Sequence, residues 1–149
     1  MIGILIVTHK GLGDALIEAT EFVMGRKLEN VMALSINMNE NADALRDKVL
    51  NGIKQVNKGE GVLILTDMFG GTPSNISYSL LEEGKVEVLS GVNLPIVIKA
   101  LNAREKESIE TLPQTLENYG KRSISLASAL LHGNKKQDKE KPKAKSKVK

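Results

Sequence analysis

Short apolar runs separated by amphipathic stretches constrain this chain more than any other feature. The runs cover residues 2–7, 31–36 and 61–65, with a fourth, Val86-Glu87-Val88-Leu89-Ser90, that alternates more. Runs of this length, rich in Val, Ile and Leu, are the pattern of strands covered on both faces. Between the first two, Leu12, Ala15, Leu16, Ala19, Phe22 and Val23 recur at helical spacing and predict a helix with that face buried. Asn41 then opens a helix with Ala42, Leu45, Val49, Ile53 and Val56 on one side. Pro73 begins a third helix, carrying Ile76 and Leu80. A short helix follows from Leu94 or Pro95, and Ile109, Leu112, Leu116 and Tyr119 suggest another, with Pro113 marking a kink or a fresh start. Residues 123–129 read as a last short strand. This alternation predicts an α/β domain: a doubly wound, mostly parallel sheet with helices on both faces.

The chain of 149 residues is long enough for one domain with a substantial core. Aromatic residues make up 3% of it, so aliphatic side chains must build that core. Cysteine is absent, which removes disulfides and thiolate metal sites and fits a reducing compartment. With two histidines, His9 and His132, a structural zinc site is not expected. No apolar run reaches the length of a membrane span, and the first residues lack a basic segment and cleavage site. The expectation is a cytoplasmic protein.

The net charge of +3 misleads. Residues 135–149 hold eight lysines against Asp138 and Glu140, so residues 1–134 carry −3. That lysine-rich stretch has almost no apolar residue and is expected to be a disordered tail over 133–149, following a domain of 1–132. Without stacking side chains, specific nucleic-acid recognition is not expected of it.

Two strand ends carry the chemistry. The first strand ends in Thr8-His9, followed by Lys10-Gly11-Leu12-Gly13 and a helix. The third ends in Thr66-Asp67, followed by Met68-Phe69-Gly70-Gly71-Thr72-Pro73-Ser74-Asn75. Two glycines allow close backbone approach to a ligand, and Thr72-Pro73 reads as an N-cap with proline at the first helical position. Ligands of open parallel sheets bind beyond the carboxyl ends of strands, where strand order reverses. If the first and third strands are neighbours, His9 and Asp67 meet in one crevice. A carboxylate accepting from Nδ1–H would fix the histidine tautomer and leave Nε2 as the nucleophile. Helix N-termini beside it would suit a phosphoryl group. A phosphohistidine site and a general-base site both fit these residues. A dinucleotide fingerprint does not: after Gly11 and Gly13 the third glycine would fall at Leu16, and no acid ends the second strand.

Ile4-Leu5-Ile6-Val7-Thr8-His9, the Asp67-to-Asn75 block and Ser90-Gly91-Val92-Asn93-Leu94-Pro95 together resemble the mannose-family IIA domain of the bacterial phosphoenolpyruvate:sugar phosphotransferase system. The resemblance runs from residue 1 to about residue 130. It implies a phosphocarrier in which His9 accepts a phosphoryl group on Nε2 and Asp67 orients the ring. The family's glycine-rich loop maps onto Gly70, Gly71 and Thr72 as phosphate-binding positions. The donor implied is the small histidine-containing phosphocarrier protein, and the acceptor a histidine of a IIB component. IIC and IID membrane subunits are involved indirectly, and no cofactor is implied. The resemblance also implies a homodimer in which residues 123–129 add an antiparallel strand to the partner's sheet. Two alternatives accompany it: a regulatory module whose phosphorylation state another protein reads, and the phosphoryl-donor subunit for dihydroxyacetone kinase. Members commonly have glycine directly after the histidine. Here Lys10 stands there, a cation that could neutralise phosphate or simply point to solvent.

Overall fold

Four parallel strands form one sheet in the order β2-β1-β3-β4. They are β1 (Gly3–His9), β2 (Val31–Ile36), β3 (Val62–Thr66) and β4 (Val86–Ser90) in a computed structural model that describes residues 1–133. Between and after them lie α1 (Leu12–Met24), α2 (Ala42–Val56), α3 (Thr72–Tyr78), α4 (Leu94–Ala103), α5 (Leu112–Arg122) and the short α6 (Ala127–Leu131). The lysine-rich stretch beyond residue 133 lies outside the described residues.

The central strands β1 and β3 explain the continuous apolar runs. Ile4, Ile6, Leu63 and Leu65 point to one face and pack with α1, α4 and α5. Leu5, Val7, Val62 and Ile64 point to the other and pack with α2 and α3. All eight are fully buried. Each such side chain contributes about 1.5–3 kcal/mol. An exposed ion pair such as Lys85–Glu82, by contrast, contributes about 0–1 kcal/mol. The doubly wound architecture is thus held by aliphatic burial on both faces.

The expected starts of three helices can be compared with the structure. Asn41 caps α2 by accepting the Ala44 N–H at 2.8 Å. Asn93 caps α4 by accepting from Ile96 at 2.9 Å, with Pro95 in the first turn. Pro113 sits in the first turn of α5, so it marks a fresh start rather than a kink.

One expectation fails, and a second is not met within the single chain. On α1 the buried residues are Gly13 and Thr20, with Leu16, Ile17 and Met24 packed partly behind them. Leu12, Phe22 and Val23, expected inside, are exposed. The helix lies closer to the sheet than a purely apolar stripe would permit: a Cβ on Gly13 would meet the Ala33 Cβ at 3.1 Å. Thr20 is tolerated inside because its hydroxyl donates to the Leu16 carbonyl at 2.7 Å. The final strand does not form within the single chain. In the single chain, residues 124–126 have no regular structure and Ala127–Leu131 is helical. A strand needs a free edge to pair with, and this segment reaches none of its own sheet; Ile124, Leu126, Leu130 and Leu131 are left exposed.

Candidate functional site

The strand order reverses between β1 and β3, where the chain leaves β1 toward one face of the sheet and β3 toward the other. His9 is the last residue of β1 and Asp67 the first after β3. The register places Val7 opposite Thr66, which brings the two ends level. One carboxylate oxygen of Asp67, Oδ2, accepts twice from His9: from the backbone N–H at 2.9 Å and from Nδ1 of the ring at 2.8 Å. The other oxygen, Oδ1, accepts the Met68 N–H at 3.0 Å. The structure therefore brings His9 and Asp67 into direct contact, as the neighbouring of β1 and β3 required.

These contacts set the charge of Asp67 and the tautomer of His9. Burial of Asp67 is the largest single influence on its carboxyl and pushes its pKa up. The His9 backbone N–H, the His9 ring and the Met68 N–H together outweigh it, and the carboxyl ends below its usual range. Asp67 is therefore a carboxylate at neutral pH, and a carboxylate can only accept. Nδ1 must carry the hydrogen of that bond, which leaves Nε2 with its lone pair free in the neutral ring. Asp67 is nearly buried, at 11% exposure, whereas the His9 side chain is 38% exposed, so the anchored nitrogen is shielded and the ring stays accessible.

The loop after Asp67 shapes the other side of the ring. Gly71 packs against it so closely that a Cβ there would lie 2.9 Å from Cε1 and 3.5 Å from Nε2. Gly70 has φ +90°, a conformation open to glycine and strained for other residues. The N-cap of α3 is Gly71 rather than the expected Thr72, and no side chain caps this end. Ser74 performs a bracing role that was not legible beforehand. Its buried hydroxyl accepts the Gly70 N–H at 3.0 Å and donates to the Gly71 carbonyl at 2.9 Å.

Thr8 and the 90–95 segment supply further support. The buried Thr8 hydroxyl accepts the Gly13 N–H at 3.0 Å and holds the start of α1 beside His9. The Thr66 carbonyl accepts from both Gly91 and Val92 at 3.0 Å. The Thr66 hydroxyl bonds Ser90 at 2.7 Å, and Ser90 bonds Tyr78 at 2.8 Å. The strand end that presents Asp67 is thus tied to its neighbour β4. Lys10 follows His9 with φ +48° and shares an open cavity with His9, Asn37, Met38 and Glu40. His132 lies at the end of α6, outside this site. Among the described residues no cluster of three or more metal-ligating side chains occurs, and no helix is long and apolar enough to cross a membrane.

A sequence model described as the PTS system fructose IIA component (EIIA-man) matches residues 3–117. The chain belongs to this mannose-type IIA family of the phosphotransferase system. It is 30% identical over 129 residues to the PTS system fructose-specific EIIA component of Bacillus subtilis, covering 86% of this chain and 88% of that protein. It is also 30% identical over 130 residues to the PTS system mannose-specific EIIAB component of Escherichia coli K12; that match covers 86% of this chain but 40% of the longer protein. Among solved structures, the phosphotransferase system component EIIA from Streptococcus agalactiae superposes with a TM-score of 0.77 at 27% identity, covering 87% of this chain and 99% of that one. The family match spans both strand ends and the loop between Asp67 and Asn75, so membership and site geometry concern the same part of the molecule.

Proposed function

We propose that this chain is a phosphocarrier that accepts a phosphoryl group on Nε2 of His9 and passes it on during sugar uptake. The observation that carries this reading is the pairing of His9 with Asp67, which holds Nδ1 at 2.8 Å and leaves Nε2 free beside the Gly70–Gly71 turn. The donor is a phosphohistidine of the small histidine-containing phosphocarrier protein, and the acceptor a histidine of a IIB component. In the first step the lone pair of Nε2 attacks phosphorus and a new N–P bond forms. The donor's N–P bond breaks, and its electron pair returns to the donor imidazole. No proton moves, because Nδ1–H stays on His9 throughout, and the positive charge gained by the ring is balanced by Asp67. Phosphoryl transfer asks mainly for alignment and charge stabilisation. The Gly70 N–H is already bonded to Ser74, which leaves the N–H groups of Gly71 and Thr72 for phosphoryl oxygens. Gly70 serves the turn itself.

Exposed Met38, Met68 and Phe69 supply apolar contact surface for the protein partners. The active form is a cytoplasmic homodimer in which residues 123–129 pair with the free edge of the partner's β4; the exposed Ile124 and Leu126 favour that reading. IIC and IID membrane subunits take part only downstream of IIB. The decisive experiment incubates the chain with phosphoenolpyruvate, enzyme I and the phosphocarrier protein, then maps the modified residue. One acid-labile phosphoryl group per chain is expected on His9, with none on His9→Ala and a normal level on His132→Ala. Label persisting on His9→Ala refutes the assignment.

A further inference from the structure

Lys10 is a residue for which the backbone gives no reason. Its φ of +48° lies in the left-handed region, which glycine occupies freely and which Asn and Asp tolerate best. The other non-glycine residue with positive φ is Asn30, of the tolerant kind. A lysine at such a position keeps a strain that glycine would relieve, and it does so directly beside the nucleophile.

Charge supplies the reason. Before any phosphoryl group arrives, the Asp67 carboxylate already lies against His9. Glu40 lines the same cavity as His9, but its carboxylate is paired with Lys48 at 3.6 Å. Lys48 is further held by the Ser35 carbonyl at 2.7 Å. Lys10 lines that cavity too, and it pairs with no carboxylate among the described residues. A phosphoryl group on Nε2 would carry about two negative charges on its oxygens against one positive charge gained by the ring, a net change of about −1 next to Asp67. Among the described residues, Lys10 is the one lysine or arginine that lines this cavity with His9.

We propose that Lys10 is a phosphate-binding residue of this site, whose ammonium contacts the phosphoryl group on His9 and holds the chain in its phosphorylated state. The proposal rests on the phosphocarrier reading. It makes the lysine a determinant of how readily the group leaves again for an acceptor. Its strained backbone is retained because a glycine in its place would bring no charge.

The test equilibrates the full-length chain, Lys10→Gly, Lys10→Asn and Lys10→Arg with a fixed amount of purified phosphorylated phosphocarrier protein. The phosphorylated fraction of each is read by phosphorus NMR at low and high salt. Lys10→Gly and Lys10→Asn should shift the equilibrium about three- to tenfold toward the donor, as expected for a partly exposed charge-assisted contact. Lys10→Arg should stay within about twofold of the wild type, and the gap should narrow at high salt. Lys10→Gly should also melt a few degrees higher, by roughly 2–6 °C, through relief of the left-handed conformation. A purely structural lysine would move the melting point alone. Equality of Lys10→Gly with a wild type that does take the phosphoryl group overturns this proposal only; so does a Lys10→Arg that falls with the glycine variant. A wild type that takes no group on His9 overturns the functional reading as well.

Discussion

Substitution of Gly71 by alanine separates alignment from stability at this site. The backbone there has φ −87° and ψ 169°, which any residue adopts, so the change introduces no conformational strain. What it introduces is one methyl group, 2.9 Å from Cε1 of His9. Carbon atoms pack at about 3.5–4.0 Å, so the ring or the loop must yield by roughly 0.5–1 Å. The ring cannot retreat freely, because its Nδ1 is bonded to Asp67 at 2.8 Å and such bonds weaken beyond about 3.2 Å. The loop is braced by both hydrogen bonds of Ser74. A displacement of this size costs an aligned reaction on the order of 10²-fold. Removing a glycine from the unfolded chain offsets part of the steric cost, so stability should change by less than about 1 kcal/mol. We expect the initial rate of phosphorylation from the phosphocarrier protein to fall between about ten- and a hundredfold, with the melting point within a few degrees of wild type. Gly70→Ala provides the reverse case. A Cβ there meets nothing within 4 Å, but φ is +90°, so stability should drop by about 1–2 kcal/mol through backbone strain. If Gly71→Ala accepts phosphate at the wild-type rate, the close packing of this loop on the ring has no part in the reaction.

Asp67→Asn should fold and yet accept phosphate about ten- to a thousandfold more slowly. That is less than the about 10⁴-fold cost of the equivalent change in a serine protease, because no hydroxyl proton has to be removed here. The same residue sets an acid dependence. Its folded pKa lies below the ordinary value of about 3.9. The carboxylate therefore adds stability above that ordinary value and loses it as pH falls through the folded one. Acid unfolding followed by circular dichroism should show a shallower slope in this range for Asp67→Asn; an identical slope contradicts the linkage. A chain ending at Ser123 keeps the whole of α5 but loses the exposed Ile124, Leu126, Leu130 and Leu131, and should scatter light as a monomer. A dimer of unchanged mass after that truncation refutes pairing through this segment.

The core strands were legible because they are buried on both faces, and burial of that kind leaves an uninterrupted apolar run that needs no structural context to read. The site was legible for a related reason. Strand order reverses between β1 and β3, so the residues at their ends meet wherever the strand lengths agree, and His9 and Asp67 are those residues. The buried face of α1 was not legible, since Gly13 and Thr20 are inside for reasons of space and internal hydrogen bonding that hydrophobicity does not register. Ser74 and Thr8 were missed because a small hydroxyl residue signals nothing until the N–H it accepts is in place. The sign of φ at Lys10 was likewise hidden, although the lysine after the histidine marked the position as unusual. The segment 123–129 alternates like a strand, but whether it becomes one depends on a sheet edge outside its own chain.

The site is assembled from residues 58 positions apart, with β2 and α2 lying between them in the chain. Neither half contains a working nucleophile. A chain that has formed its helices but has not yet paired β1 with β3 carries His9 without its anchor and with both ring nitrogens exchanging protons freely. Such non-local pairing must meet the entropy of closing a long loop before any contact rewards it, and it therefore belongs to the slow, cooperative part of folding. On the phosphocarrier reading proposed above, competence to accept a phosphoryl group is expected to return on refolding together with the parallel sheet. The His9–Asp67 pair is in that sense a built-in reporter of the chain's own completed topology.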